Sequence, residues 1–144
     1  MIIGLDTDVL VHWSMRGAAR HRAARRFVAR EARRSNLLGI TPQVLAELVH
    51  VTTDPRRFER PLSMRGAVDL ARRLWTAPEV ARILPTSGSF VRACELLAQH
   101  RLGRKRILDT MLAAILEGAS VARLATLNGA DFRVFSFLEV VELD

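Results

Sequence analysis

Short apolar runs alternate with longer helical patterns along the chain. Four continuous apolar runs predict buried strands, and a further run near the end predicts a last strand; they lie at 2–6, 37–41, 81–84, 121–126 and 137–143. Helical patterns separate these runs. Strands that alternate with helices are typical of an α/β domain with a mainly parallel sheet, here of about four to five strands.

Helix-start residues mark the segments between the strands. Thr41 and Pro42 combine an N-cap hydroxyl with proline in the first helical position, and Ser63 is placed to cap another helix. Asn128-Gly129 predicts a turn. The predicted helices cover 8–13, 18–35, 42–54, 63–75, a stretch from Ser87 or Ser89 to 101, and 107–118.

Composition narrows the class of protein further. Residues 1–144 are about one domain's worth of chain, so we expect a single domain. The lone Cys94 excludes a disulfide framework or a cysteine-cluster zinc site, and the sequence shows neither a signal peptide nor an apolar stretch long enough to cross a membrane. These features favour a cytoplasmic protein without membrane contact. The 22 basic and 15 acidic residues leave a net charge of +7, which favours nucleic acid or an acidic protein as partner.

Three acidic residues lie in apolar surroundings. Asp6 ends the first strand, where the ligand crevice of an open α/β sheet lies, while Glu47 and Asp109 sit inside apolar helical stretches. A carboxylate in such surroundings is normally paired, hydrogen-bonded or bound to a metal. Each also has a structural explanation, because Asp6 and Asp109 could cap helices and Glu47 could face solvent or an arginine. The three acids indicate a site only if they meet in space.

Two further oxygen donors, Asn128 and Asp131, follow the fourth strand, where they could equally form a polar turn. Clusters of oxygen ligands suit hard divalent cations such as Mg²⁺ or Mn²⁺, which can activate water for attack on a phosphodiester. The four histidines lack zinc-site spacing, and no phosphate-binding glycine loop is present.

Four motifs in order resemble those of PIN-domain nucleases. Residues 3–11 (IGLDTDVLV) resemble the opening strand motif, and residues 41–48 (TPQVLAEL) resemble the second motif with its glutamate. Residues 106–114 (RILDTMLAA) and 124–132 (LATLNGADF) resemble the third and fourth motifs. In length and layout the chain looks most like the VapC-type toxins of bacterial toxin–antitoxin pairs.

This resemblance implies a three-layer α/β/α fold and a Mg²⁺- or Mn²⁺-dependent endoribonuclease. It also implies a homodimer, an RNA substrate and neutralisation by a small VapB-like antitoxin. The catalytic, metal-binding acids would be Asp6, Glu47, Asp109 and Asp131. Asn128 stands where members often place a ligand, so either Asn128 or Asp131 would be the fourth. Supporting or alternative ligands would be Thr7, Asp8, Thr126 and Asn128, although Asp8 stands where the pattern commonly has Asn.

Two other functions compete with this interpretation. Asp6 and Asp8 also resemble the first motif of haloacid-dehalogenase-type phosphatases, but Lys105 is the only lysine and no downstream Asp-Asp pair exists. The chain could also be a PIN-like module that binds RNA or protein and cleaves poorly because Asn128 replaces an acid. Convergence of Asp6, Glu47 and Asp109 around one metal-sized space would favour the nuclease.

Two basic segments are candidates for contact with a partner. Eight arginines and one acid, Glu31, lie between 16 and 34, and these arginines could contact either RNA or the acids of an antitoxin. Arg104, Lys105 and Arg106 directly precede Asp109, and we predict that they contact substrate phosphates.

Overall fold

A parallel sheet forms the centre of the protein in a computed structural model, which describes residues 1–143. Across these residues the sheet has five strands in the order β3-β2-β1-β4-β5, and every neighbouring pair is parallel. The strands are β1 (Ile2–Leu5), β2 (Leu37–Ile40), β3 (Val80–Arg82), β4 (Arg123–Ala125) and β5 (Glu139–Val141). The predicted α/β class with a parallel central sheet flanked by helices is confirmed.

Helices fill the connections between the strands. Thr41 Oγ1 accepts the backbone N–H of Val44 at 3.2 Å, and Ser63 Oγ accepts that of Gly66 at 3.0 Å, so both predicted N-caps form. A short 3₁₀ turn at Arg104–Arg106 leads directly into α6. The helices are α1 (Thr7–Ser14), α2 (His21–Arg33), α3 (Pro42–Thr52), α4 (Met64–Thr76), α5 (Ser87–Gln99), α6 (Ile107–Gly118) and α7 (Gly129–Phe132).

Most predicted elements are present but begin or end one to three residues from the predicted bounds, as in β3, β4, β5 and at the ends of α2, α3 and α5. Helix α2 begins at His21 rather than 18; residues 16–20 form turns, and the backbone N–H of Arg20 donates to His12 Nδ1 at 3.0 Å just before the helix. Helix α5 is capped by Thr86, whose N–H donates to Ser89 Oγ at 2.9 Å. The predicted Asn128-Gly129 turn opens the short helix α7.

The strand order reverses between β1 and β4. From β1 the chain winds through β2 to β3, and it then returns to the other side of β1 for β4 and β5. Right-handed crossovers place the helices of these two halves on opposite faces of the sheet. In such doubly wound sheets, ligands bind outside the carboxyl ends of the strands where the order reverses. Polar residues stand there directly after their strands, namely Asp6 after β1 and Thr126 after β4.

Three of the described helices end in a left-handed residue that is not glycine; Arg101 follows α5 with φ of 51°, and the other two lead into strands. Ser35 follows α2 and Ser120 follows α6, each with φ of 57°. The next residue closes each end, since Asn36 N–H donates to Glu31 O at 3.0 Å and Val121 N–H donates to Leu116 O at 2.9 Å. These ends lead into β2 and β4 at the amino edge of the sheet, opposite the switch point.

The helices are short or amphipathic. None of those formed within residues 1–143 is long and apolar enough to span a membrane.

Candidate active site

Asp6 is fixed from both sides of the switch point. Its Oδ1 accepts the N–H of Thr7 at 2.8 Å at the start of α1, and its Oδ2 accepts the hydroxyl of Thr126 at 2.8 Å from the end of β4. The Asp6 side chain therefore caps α1, which is the structural role that the sequence left open for it. It is also only 8% exposed, which fixes a carboxylate in a single position at the carboxyl edge of the sheet.

Glu47 and Asp109 reach the same region from two different helices. Gln43, one turn before Glu47 on α3, donates its Nε2 to Glu47 Oε1 at 3.3 Å and to the carbonyl of Leu108 at 3.2 Å. Leu108 immediately precedes Asp109 in the first turn of α6. Gln43 thus bridges the two helices and holds the two half-buried acids near each other.

These three acids line one cavity of about 210 Å³. The three acids therefore share one cavity, which favours the nuclease over the weakly cleaving module, although within residues 1–143 their side chains are not gathered around a single ion-sized point. The other residues lining the cavity are Thr7, Asp8, Val11, His12, Val51, Arg57 and Asn128.

Burial and mutual repulsion raise the pKa values of Asp6, Asp8 and Asp109. Burial, and then the charges of Asp6 and Asp131, raise the pKa of Asp109 to about 6, against an opposing effect of Arg106. Burial also raises the pKa of Asp6, with further contributions from Glu47 and Asp131, although the hydrogen bonds from Thr126 and Thr7 counteract it. The cavity is therefore a place where negative charge is costly and a cation would relieve it.

Asp8 adds another carboxylate to the cavity. Its Oδ2 accepts the backbone N–H of Leu127 at 3.1 Å and the side-chain amide of Asn128 at 3.0 Å. Its Oδ1 is buried and has no hydrogen-bond partner among residues 1–143, and the same is true of Thr7 Oγ1. Burial and the nearby charge of Asp6 raise the pKa of Asp8 to about 7.

Asp131 lies outside this cavity. It belongs to the short helix α7, its side chain is 46% exposed, and its Oδ1 is 3.8 Å from Arg106 Nη1. Its charge still reaches Asp6 and Asp109, since it contributes to both of their raised pKa values. Its role as a metal ligand stays a prediction.

The three predicted RNA-binding residues differ in their surroundings. Arg104 and Lys105 are exposed on the 3₁₀ turn, while the Arg106 side chain is only 23% exposed and points toward Asp131. The Nε and Nη2 of Arg106 are buried without partners in the described part of the chain. The two exposed side chains are free to meet a phosphate, whereas Arg106 is oriented inward.

The donor set fits a hard divalent cation in type. The oxygen groups around the cavity are carboxylates, a hydroxyl and an amide, which are the ligands that Mg²⁺ and Mn²⁺ prefer, and His12 and Arg57 line it as well. The buried, unpartnered Thr7 Oγ1 and Asp8 Oδ1 add acceptors that the protein leaves unused. The acids surround the cavity without meeting at one point: over residues 1–143, no three acidic, histidine or cysteine side chains are close enough together to hold an ion as they stand.

Three residues of this site were not predicted from the sequence. Gln43 could have been predicted, because it lies four residues before Glu47 on the same helix and residues at this spacing face each other. His12 lines the cavity from α1, and its pKa is lowered by burial and by the charges of Arg20 and Arg57. Arg57 reaches the cavity from the loop after α3, and no local pattern marks it.

Known proteins resemble this chain over nearly its whole length. A family model described as the PIN domain matches residues 3–138. Ribonuclease VapC24 of Mycobacterium tuberculosis is 28% identical over 144 residues, covering 96% of this chain and 94% of that protein. Several solved structures share the fold, among them VapBC-1 from nontypeable Haemophilus influenzae, with a TM-score of 0.67 at 16% identity over 99% of this chain and 98% of that chain. VapC20 of M. tuberculosis, described as a sarcin-ricin loop cleaving toxin, has a TM-score of 0.73 at 21% identity and covers 94% of this chain and 95% of its own.

A further solved structure contains a complex. VapBC2 from Rickettsia felis, bound to a DNA fragment from its promoter, has a TM-score of 0.68 at 21% identity over 100% of both chains. The sheet order, the four motifs and the shared cavity are consistent with these matches. Because the family model covers almost all of the sequence, the chain belongs to the PIN-domain family.

Proposed function

We propose that this chain is a divalent-metal-dependent endoribonuclease, the toxin of a VapBC-type toxin–antitoxin pair. The observation that carries this proposal is the meeting of Asp6, Glu47 and Asp109 in one cavity at the switch point of a PIN-domain sheet. The similarity to a named ribonuclease over almost the full length supports RNA as the substrate.

Asp6, Glu47 and Asp109 are the residues proposed to hold Mg²⁺ or Mn²⁺. When bound, such a cation supplies a more acidic water as nucleophile and positive charge for the developing phosphate oxyanion. Asp131, predicted from the sequence as a fourth ligand, would have to leave Arg106 to join them.

The surrounding residues orient the acids and the substrate. Thr126 and the Thr7 N–H hold Asp6, and Gln43 holds Glu47 against α6. Arg57 lines the cavity beside the acids, so we assign it to a phosphate of the bound RNA. Arg104 and Lys105 are exposed just before α6 and extend this basic rim.

The same comparisons support an antitoxin as partner, whereas the single domain, the homodimer and the cytoplasmic location rest on the resemblance in sequence. We propose that the chain acts as a single domain, forms a homodimer in the cytoplasm and is neutralised by a VapB-like antitoxin. The support for the antitoxin is that two of the similar structures are described as VapBC assemblies, one from Rickettsia felis and one from Haemophilus influenzae.

An RNA cleavage assay tests the proposal. The protein is incubated with RNA in Mg²⁺ or Mn²⁺ and in EDTA, beside an Asp6→Asn variant. We expect cleavage with metal, none in EDTA, and a rate at least about 100-fold lower for Asp6→Asn because several kcal/mol of transition-state stabilisation depend on the site. Asp69→Asn, on the exposed surface of α4, is the matched control and should cleave normally. Equal cleavage in all conditions would refute the metal–carboxylate mechanism.

A further inference from the structure

Asp8 has one carboxylate oxygen that the protein does not use. Oδ2 accepts two hydrogen bonds, from Leu127 N and Asn128 Nδ2, whereas Oδ1 is buried without a well-formed hydrogen bond in the described residues. The backbone N–H of Val9 also lies near this carboxylate and helps to lower its pKa. Leaving a buried carboxylate oxygen unpaired costs free energy that a folded protein normally avoids. Asp8 lines the cavity with Asp6, Glu47 and Asp109, so its free oxygen belongs to that site.

Thr7 is a second, independent sign of a missing ligand. It is only 7% exposed, it lines the same cavity, and its hydroxyl also finds no partner within residues 1–143. Two adjacent buried oxygens without donors are difficult to explain by packing alone. Both are satisfied if a cation, or water held by a cation, occupies the cavity.

Asn128 serves Asp8 as a donor rather than serving a metal as a ligand. Its side-chain amide donates to Asp8 Oδ2, and its backbone N–H donates to Thr126 Oγ1 at 3.0 Å, which in turn donates to Asp6 Oδ2. One residue after β4 therefore orients both carboxylates that follow β1. An aspartate at 128 would place a second carboxylate against Asp8 and remove this donor.

Asp131 is engaged elsewhere. Its carboxylate approaches Arg106, which is largely buried and whose other donors lack partners in the described chain. Moving Asp131 into the cavity would strip Arg106 of this contact. A half-buried guanidinium without an anion is expensive, so the pairing opposes that movement.

We infer that Asp8, and not Asp131, supplies the fourth carboxylate of the metal site, oriented by Asn128. The inference rests on the proposed function, because it concerns the same cation. It assigns Asp131 to the positioning of Arg106 beside Asp109, outside the metal site.

Mn²⁺ titration of the metal-stripped full-length protein tests the inference, with affinity read by calorimetry. Removing even an outer partner of a metal ligand costs roughly 10–100-fold in affinity. We therefore expect Asp8→Asn to weaken Mn²⁺ binding by at least about tenfold, and Asp131→Asn to stay within about twofold of the wild type. Asp69→Asn is the control for removing an acid elsewhere.

The exchange variant Asp8→Asn/Asn128→Asp separates a ligand role from a purely structural one. It again pairs one carboxylate with one amide across the same contact but leaves no carboxylate at position 8, so we expect Mn²⁺ affinity to stay as low as in Asp8→Asn, whereas recovery would show that only the pairing matters. Thermal unfolding in EDTA checks folding, and Asp8→Asn should be at least as stable as the wild type because it removes a buried charge.

Two other results would overturn the inference: wild-type affinity in Asp8→Asn, or a tenfold loss in Asp131→Asn. Failure of the proposed function has a different signature. In that case the wild type itself would not bind Mn²⁺ and RNA cleavage would survive EDTA, which would remove the inference with it.

Discussion

At the scale of single residues, the hydroxyl of Thr126 is the contact on which the position of Asp6 depends. It donates to Asp6 Oδ2 at 2.8 Å and accepts the backbone N–H of Asn128 at 3.0 Å, and Thr126 is 1% exposed. Hydrogen bonds that orient metal ligands usually affect affinity nearly as much as the ligands do. Thr126 is thus a positioning residue that joins β1 to β4.

Thr126→Val keeps the shape of this side chain and removes its hydroxyl. We expect Mn²⁺ affinity to fall by about tenfold and cleavage to fall with it, because Asp6 loses its fixed orientation. Thr126→Ser keeps the hydroxyl and should restore both quantities. Equal affinities for the Val and Ser variants would show that the hydroxyl is dispensable.

Arg57 and its neighbour Arg56 form a natural pair for testing phosphate contact. Arg57 lines the acidic cavity, whereas Arg56 is 87% exposed and pairs with Asp54 at 3.3 Å. We expect Arg57→Ala to weaken binding of a single-stranded oligoribonucleotide in EDTA and to reduce the salt slope by about 0.7, the value for one lost phosphate contact. Fluorescence anisotropy at several salt concentrations measures this. Arg56→Ala should bind like the wild type, and equal losses in both variants would contradict a specific role for Arg57.

At the scale of secondary-structure elements, the 3₁₀ turn before α6 presents two cations outward and one inward. Arg104 and Lys105 are exposed, and Arg106 faces Asp131. The sequence predicts phosphate contacts for all three, because it cannot show which side chains turn inward. We therefore expect the loss of Arg104 and Lys105 to affect RNA binding and the loss of Arg106 to affect stability.

The double variant Arg104→Ala/Lys105→Ala should weaken RNA binding and reduce the salt slope by about 1.4, with unchanged stability. Arg106→Ala should instead lower the unfolding midpoint, since it leaves Asp109 and Asp131 to repel each other. Anisotropy and urea unfolding distinguish the two effects. A large salt-slope change in Arg106→Ala with normal stability would place Arg106 on the substrate.

Gly4 in strand β1 has little room for a side chain. A Cβ on Gly4 would lie 2.9 Å from both Cδ atoms of the buried Leu116 and 3.3 Å from the carbonyl of Arg123. Overpacking of this kind typically costs about 1–3 kcal/mol. We expect Gly4→Ala to lower the free energy of unfolding by that amount in urea titration. Gly17→Ala, which has open space around it, should change stability little, and similar losses in both would rule out the packing explanation.

Local patterns allowed the elements and the central acids to be predicted from the sequence. Asp6 could be placed because a carboxylate directly after a buried strand emerges at the ligand edge of a parallel sheet. Thr41 and Ser63 could be placed because their caps act within three residues. The pairing of Asp131 with Arg106, and the approach of Arg57 to the cavity, join segments far apart in sequence. Those contacts depend on tertiary packing, which a local pattern does not encode.

At the scale of the whole molecule, the charge of +7 separates into two populations. Four of the fifteen acids line the cavity, while the arginines are spread over the rest of the protein. Some of these arginines are engaged within the protein. Arg25 stacks over Trp13 at 5.2 Å, and Glu31, which is 2% exposed, accepts from Arg30 Nε at 3.2 Å. The surplus attracts RNA over the whole surface, and the cavity concentrates negative charge for a cation.

The acids of the cavity give the metal-free protein a pH-dependent stability. In the unfolded chain the carboxyl of aspartate ionises near its usual pKa of about 3.9, whereas folding raises the pKa of Asp8 to about 7 and that of Asp109 to about 6. At pH values between the unfolded and the folded pKa, the folded state binds more protons than the unfolded state. Their contribution to stability is therefore complete at low pH and is lost as pH rises through the folded pKa values.

We expect the urea midpoint in EDTA to fall between pH 5.5 and pH 8, with a loss of stability on the order of 3 kcal/mol. Asp8→Asn should flatten this dependence, and it separates the carboxylate effect from His12, whose lowered pKa acts in the opposite direction. Saturating Mn²⁺ should also flatten it. A midpoint that rises with pH in the wild type but not in Asp8→Asn would contradict the assignment.

The left-handed ends of α2 and α6 are positions where a substitution could stabilise the protein without touching the active site. The left-handed conformation costs a residue with a side chain about 1–2 kcal/mol, and it costs glycine almost nothing. Glycine also loses more conformational entropy on folding, so the net gain in stability is smaller than this cost. Ser35→Gly and Ser120→Gly lie at the sheet edge opposite the cavity. A protein with both substitutions should be more stable, so that variants of the cavity acids that lower stability would still fold in it.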